Sequence, residues 1–102
     1  MKKYIVLLLA AALVLSAALA GCAPQKTNLI LATGGTSGTY YPFGGSMAQI
    51  FNSKIANMNV TAQATGASVE NLKLIGKKEA ELAIVQNDMT DYAYAGAEAF
   101  KD

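Results

Sequence analysis

Histidine and arginine are both absent from the 102 residues, and cysteine occurs once, at Cys22. Each absence excludes something. Without histidine the usual general base is missing, and nucleophilic catalysis loses its commonest partner. Carboxylates alone, with neither histidine nor a spare cysteine, make weak metal-ligand sets, so no cofactor or metal is expected. A single cysteine excludes an intramolecular disulfide framework. Eight lysines against seven acids leave a net charge of +1, and without a basic patch there is no electrostatic footprint for nucleic acid.

What is present is concentrated first at the N-terminus. Lys2 and Lys3 precede Tyr4 to Ala20, an apolar run that only Ser16 interrupts, as an export signal requires. Seventeen residues lie at the short limit of a membrane span, which needs about 17–25. Leu19-Ala20-Gly21-Cys22 closes the run. This stretch resembles the bacterial lipoprotein signal, in which the cysteine thiol is acylated with a fatty chain such as palmitate and becomes the first residue after cleavage. The expectation is a signal peptide over 1–21, a short tether over 22–27 after lipidated Cys22, and a domain over 28–102. Residues 22–102 carry six lysines and seven acids, a net charge of −1. The mature chain is then small, and a domain of that size buries only about 60–65% of its unfolded surface.

From Leu29 onward short apolar runs alternate with helical patterns. Leu29-Ile30-Leu31-Ala32 reads as a strand buried on both faces. Phe43, Met47, Ile50, Phe51 and Ile55 recur at helical spacing and predict a core-facing helix, weakened by Gly44-Gly45. Asn59 to Thr65 alternates and is rich in β-branched residues, which predicts a second strand. Ser68 is placed to cap a helix carrying Val69, Leu72 and Ile75, with Gly76 at its end and Asn71 where a full capping box has Glu. Leu82 to Val85 reads as a third strand, followed by Asn87-Asp88 as caps of a helix that Gly96 ends. The order β-α-β-α-β-α predicts an α/β fold with a parallel sheet.

Each strand runs into a polar turn that feeds a helix: Gly34 to Tyr41, Thr65 to Ser68, and Gln86 to Asp88. In an open parallel sheet these turns share one edge, where ligands bind, and helix N-termini there suit a carboxylate or phosphate. A phosphate-binding P-loop is excluded because Gly38 is followed by Thr39-Tyr40 rather than Lys-Ser/Thr. A dinucleotide fingerprint is excluded because the chain has only Gly35-Thr36-Ser37-Gly38, and Thr65 stands where the acidic residue belongs.

Ala32-Thr33-Gly34-Gly35-Thr36-Ser37-Gly38-Thr39-Tyr40-Tyr41-Pro42-Phe43-Gly44-Gly45 resembles the opening signature of the TAXI-family solute-binding proteins of tripartite ATP-independent periplasmic (TRAP) transporters. Two later segments, Gln63 to Leu72 and Glu79 to Asp88, agree with it. The resemblance implies a type II periplasmic-binding fold of two lobes closing on a small ligand, with residues 28–102 forming the N-terminal part of lobe one and the second lobe missing. Together with the lipoprotein-like signal ending at Cys22, it implies an extracytoplasmic lipoprotein, anchored to the bacterial membrane and facing the periplasm or cell exterior. Such a protein captures a small carboxylate or a glutamate-like amino acid for a TRAP-type permease, and is not an enzyme. Carried over by motif, the ligand-facing residues are Thr36, Ser37, Gly38, Thr39, Tyr40, Gly66, Ala67, Ser68 and Gln86. The alternatives are a truncated, inactive piece of such a protein, or an exported enzyme on a similar fold. The enzyme would need a site such as Ser68 with Lys73, whose five-residue spacing is poor for contact on a helix.

Acylation at Cys22 is directly testable. Metabolic labelling with an alkyne fatty acid is expected to mark the wild-type protein and spare Cys22→Ser, and equal labelling of both would exclude the anchor.

Overall fold

The structure, a computed structural model, describes Lys3 and residues 25–101. Apart from Lys3, the segment expected to be a signal peptide, together with Cys22 and the first part of the expected tether, lies outside the described residues. Strands β1 (Thr27–Ala32), β2 (Met58–Gln63) and β3 (Leu82–Ala83) alternate with helices α1 (Tyr40–Lys54), α2 (Ser68–Gly76) and α3 (Asn87–Ala95), and a 3-10 turn follows at Glu98–Phe100. Both strand pairings are parallel, in the order β2-β1-β3. This is the α/β arrangement expected of a partial periplasmic-binding lobe. Among the described residues, no helix is long and apolar enough to cross a membrane.

β1 occupies the centre because its residues tolerate burial on both faces: Leu31 and Ala32 are almost fully enclosed. It begins at Thr27, the last residue assigned to the tether, where the Thr27 N–H donates to Asn57 O at 2.7 Å. Along one face Leu31 and Val60 pack with Ala48 of α1, and Leu29, Met47, Phe51, Met58, Leu82 and Ile84 close around them. The chain steps from β1 to β2 on one side, then crosses back past β1 to reach β3. Right-handed connections of this kind place α1 and α2 on opposite faces of the sheet.

The packed face of α1 differs from the expected one. Met47 and Phe51 do reach the core, but Phe43 and Ile50 are each 59% exposed and Ile55 is also exposed. At about 100° per residue, the face that meets the sheet runs through Gly44, Met47, Ala48 and Phe51, and Phe43 and Ile50 fall about 100° away from it. Small residues sit at its centre because the helix backbone lies close to β1. A Cβ on Gly44 would overlap Thr33 Cγ2 and lie 3.4 Å from both Ile84 Cδ1 and Leu31 Cδ2. Gly44 is thus a packing requirement and not a weakness of the helix.

Side chains finish what the ladders leave open. Asn52 of α1 reaches the outer edge of β2, donating from Nδ2 to Val60 O at 2.9 Å and accepting from Val60 N–H at 2.6 Å. That amide satisfies both backbone groups of an edge residue, blunting the edge against further pairing. On the other side the Ile30 N–H donates to the Glu81 carboxylate at 2.7 Å, while the Glu81 N–H donates to Ile30 O at 3.2 Å. α2 ends in a Schellman arrangement: Lys78 takes the left-handed position at φ 60°, and the Glu79 N–H reaches Leu74 O at 2.9 Å. Gly76, expected to stop the helix, is its last residue. Gly96 does end α3 as expected, in the left-handed conformation.

Gly44→Ala is expected to destabilise the fold by roughly 1–3 kcal/mol, the usual consequence of overpacking a tight contact. Gly45→Ala, where an added Cβ meets nothing within 4 Å, is expected to be neutral or slightly stabilising. Urea titrations of the two variants check this contrast.

Candidate binding edge

β1 and β3 run side by side only as far as Ala32 and Ala83, and the Ile84 N–H still donates to Ala32 O at 3.0 Å. In an evenly spaced parallel ladder the next bond would join the Gly34 N–H to Ile84 O. Asn71, fully buried on α2, takes that place: its Nδ2 donates to Ile84 O at 2.8 Å and to Thr33 O at 2.7 Å. The amide spans the gap between the strand ends where the order of strands reverses, the point at which open α/β sheets bind ligands. It also explains why the third strand, expected over Leu82 to Val85, has only two ladder residues.

The same amide reaches the turn after β2. Thr65 Oγ1 donates to Asn71 Oδ1 at 2.5 Å and accepts from the Ala67 N–H at 3.1 Å, while the Asn71 N–H donates to Ala67 O at 2.9 Å. Thr65 belongs to this turn rather than to the strand, which ends at Gln63. The ends of β1 and β2 are joined again by Thr33, whose N–H and Oγ1 both donate to Gln63 O, and by the Thr65 N–H donating to Gly34 O at 3.2 Å. One buried side chain therefore ties together all three strand ends.

The residues singled out by motif lie along this edge. Thr36, Ser37, Gly38 and Thr39 form the exposed loop between β1 and α1, folded by a Gly38 N–H to Gly35 O bond of 2.8 Å. Tyr40 opens α1 half-buried; a Cβ on Gly34 would lie 3.3 Å from Tyr40 Cβ and 3.8 Å from Ala67 Cβ, so Tyr40 and Ala67 flank Gly34. Gly66, Ala67 and Ser68 make the second turn, and Gln86 precedes α3. Ser68 and Gln86 meet directly, the Gln86 N–H donating to Ser68 Oγ at 3.0 Å. Among the described residues, no hydrogen bond joins Thr36, Ser37 or Thr39 to the other two turns, and no enclosed pocket forms over the edge.

Two expected caps are corrected. Ser68 is the first residue of α2 and not its cap; the capping position is Ala67, and the Ser68 hydroxyl is engaged by the β3 turn. Gln86, not Asn87 or Asp88, holds the capping position of α3. None of the three helices has a side-chain cap at its N-terminus. Their electrostatics nevertheless differ. Glu70 lies in the first turn of α2 and accepts from the Gly66 N–H at 2.6 Å, and Asp88 in the first turn of α3 accepts from the Met89 N–H at 2.9 Å. α1 has no acidic residue in its first turn. Its positive dipole end therefore has no carboxylate of its own first turn to meet it.

Ala67 carries backbone strain. At φ 68° and ψ −151° it occupies a region that is essentially glycine-only. Its N–H donating to Thr65 Oγ1 and its carbonyl accepting from the Asn71 N–H hold it there. Sequence reasoning passed over Asn71, Thr33 and Thr65; the usable signal was Asn71 at i+3 from Ser68, which places two polar side chains on one face of a short helix.

The family model described as the NMT1-like family matches residues 31–102. The chain belongs to this periplasmic-binding-protein-like family.

Ala67→Gly is expected to raise stability by about 1 kcal/mol, since relief of about 1–3 kcal/mol of strain outweighs the added unfolded-state entropy of glycine, roughly 0.5–1 kcal/mol. Ala67→Val is expected to lower it. Thermal unfolding of both variants measures the two signs.

Proposed function

We propose that this member of the NMT1-like family is an exported solute-binding lipoprotein of the TAXI type. On this reading it captures a small carboxylate or glutamate-like amino acid and delivers it to a TRAP-type permease. The observation that carries the reading is the convergence of three loop-to-helix junctions on one sheet edge, tied by Asn71, with the α1 junction left free of acidic side chains. A solute-binding protein needs donors fixed in space and no group that transforms the ligand. This edge supplies hydroxyls and backbone N–H groups.

The ligand carboxylate is assigned to the α1 junction, where Thr36, Ser37 and Thr39 can donate through their hydroxyls and the first turn of the helix through its unpaired N–H groups. Tyr40 forms the side wall, and the backbone at Gly66, Ala67 and Ser68, with Gln86, faces the rest of the ligand. A periplasmic-binding architecture closes a second lobe over such an edge, enclosing most of the small molecule. The reading keeps Cys22 as the lipid anchor that holds the protein beside its permease. It assigns no catalytic residue; Ser68 Oγ accepts from the Gln86 N–H and so helps to hold the β3 turn.

The test is calorimetry on the full chain with L-glutamate, L-glutamine and a panel of small mono- and dicarboxylates, with the recovered ligand checked by mass spectrometry. For residues 22–102 by themselves, binding of at least one carboxylate is expected at millimolar affinity at best, with the ligand unchanged on recovery, because one lobe encloses only about half of a small ligand. Thr36→Val combined with Thr39→Val should weaken that binding several-fold or more, since each neutral hydrogen bond contributes about 0.5–1.5 kcal/mol. Absence of binding across the panel, or conversion of the ligand to product, would overturn the reading.

A further inference from the structure

We propose that Asn71 is a positioning residue of the binding edge, a role separate from its contribution to stability. The inference rests on the solute-binding reading given above, and it assigns the geometry of the site to a residue that meets no ligand. Three observations carry it. Asn71 is completely buried, yet each polar atom of its side chain is used: Nδ2 on Thr33 O and Ile84 O, Oδ1 on Thr65 Oγ1. Its partners belong to three different strand ends, each of which leads into one of the three turns. Through Thr65 Oγ1 and its own N–H, it also clasps both sides of the strained Ala67.

The reasoning is geometric. Strand ends that leave their ladder lose the bonds that fix their relative height and spacing, and a one-ångström error in a donor array weakens binding sharply. Thr33 directly precedes the glycine turn, Thr65 precedes Gly66 to Ser68, and Ile84 lies two residues before Gln86. Fixing those three residues fixes where the donors of all three turns stand. The buried carbonyl of Thr33 also needs a donor, because a buried acceptor left unpaired is costly, and the part-buried carbonyl of Ile84 shares the same amide. Only a primary amide offers two donors and an acceptor on so short a stem. Aspartate, of the same size, would turn an oxygen toward two carbonyl oxygens and drive the ends of β1 and β3 apart.

The experiment compares three variants of the full chain: Asn71→Asp, Thr65→Val as a milder loss of one strut, and Val60→Ala as a core control away from the turns. Two measurements are made at a temperature where circular dichroism shows each protein folded. The first is L-glutamate affinity by calorimetry. The second is amide hydrogen exchange at Thr33, Thr65 and Gln86. Asn71→Asp is expected to weaken binding at least tenfold and Thr65→Val about threefold, with Val60→Ala within twofold of wild type. Exchange at the three turn amides should quicken in the first two variants and not in the control. If the affinity losses instead follow the loss of thermal stability across all three variants, Asn71 is only a structural residue and the proposal fails. If Asn71→Asp does not fold, Thr65→Val decides alone. If wild type binds no L-glutamate, that choice of ligand has failed and exchange settles the positioning role: quickening at all three turns supports it, and change confined to α2 overturns it.

Discussion

The amide of Asn71 is the interaction on which the arrangement of this edge depends. A parallel sheet that sends one helix to each face must let its strands diverge where the connections depart in opposite directions. Divergence leaves the carbonyls of the last residues, here the buried Thr33 and the half-buried Ile84, without ladder partners. A helix brought across the opposite face can supply the missing donors only if it carries a short side chain with two N–H groups at the right height. α2 does so one turn from its start, and the same side chain has an acceptor left for Thr65. Removal of such a group from a buried network leaves several polar atoms unpaired at once, so its importance exceeds that of any one bond.

The other half of the edge is set by how closely α1 lies on the sheet. Gly44 and Ala48 let the helix axis approach β1, and the Asn52 amide locks the far end of the helix to Val60 of the edge strand. A helix held at both places has one direction available to it. Its N-terminus then arrives beside Gly34, where the absence of a side chain makes room for Tyr40. Packing on one face and hydrogen bonding on the other thus converge on the same few residues, Thr33 to Tyr40.

The alternation of elements was legible in the sequence because each signal is local. Apolar runs at Leu29 and Leu82, a β-branched alternation at Asn59, and glycines at strand ends are enough to give three parallel strands and three helices. What was not legible depends on a partner distant in sequence. The stripe through Phe43 and Ile50 looks like a core face until Gly44 is known to touch Thr33. Ser68 has the chemistry of a cap, and only the nearness of Gln86 diverts its hydroxyl. Asn71 resembles a poor capping-box residue because its three partners lie between 6 and 38 positions away. Lys78 in the left-handed position has no signal of its own, since the neighbouring Gly76 is the residue that composition favours there.

The charge pattern of the three helix starts bears on the kind of binding such an edge supports. Two of the positive ends are already met by Glu70 and Asp88, each bound to a backbone N–H close by. The third, at α1, has no acidic residue in its first turn, and neutral hydroxyl residues precede it in the sequence. A full cation at that point would hold an anion through a charge-assisted bond roughly twice as strong as a neutral one. Neutral donors fixed by a rigid scaffold instead divide the attraction among several modest bonds, each lost separately as the edge opens to water. On the proposed solute-binding reading, that division would favour release of the ligand as well as its capture. On that reading the burden of specificity would fall on the spacing of the donors, which the buried Asn71 amide, bonded to all three strand ends, is placed to set.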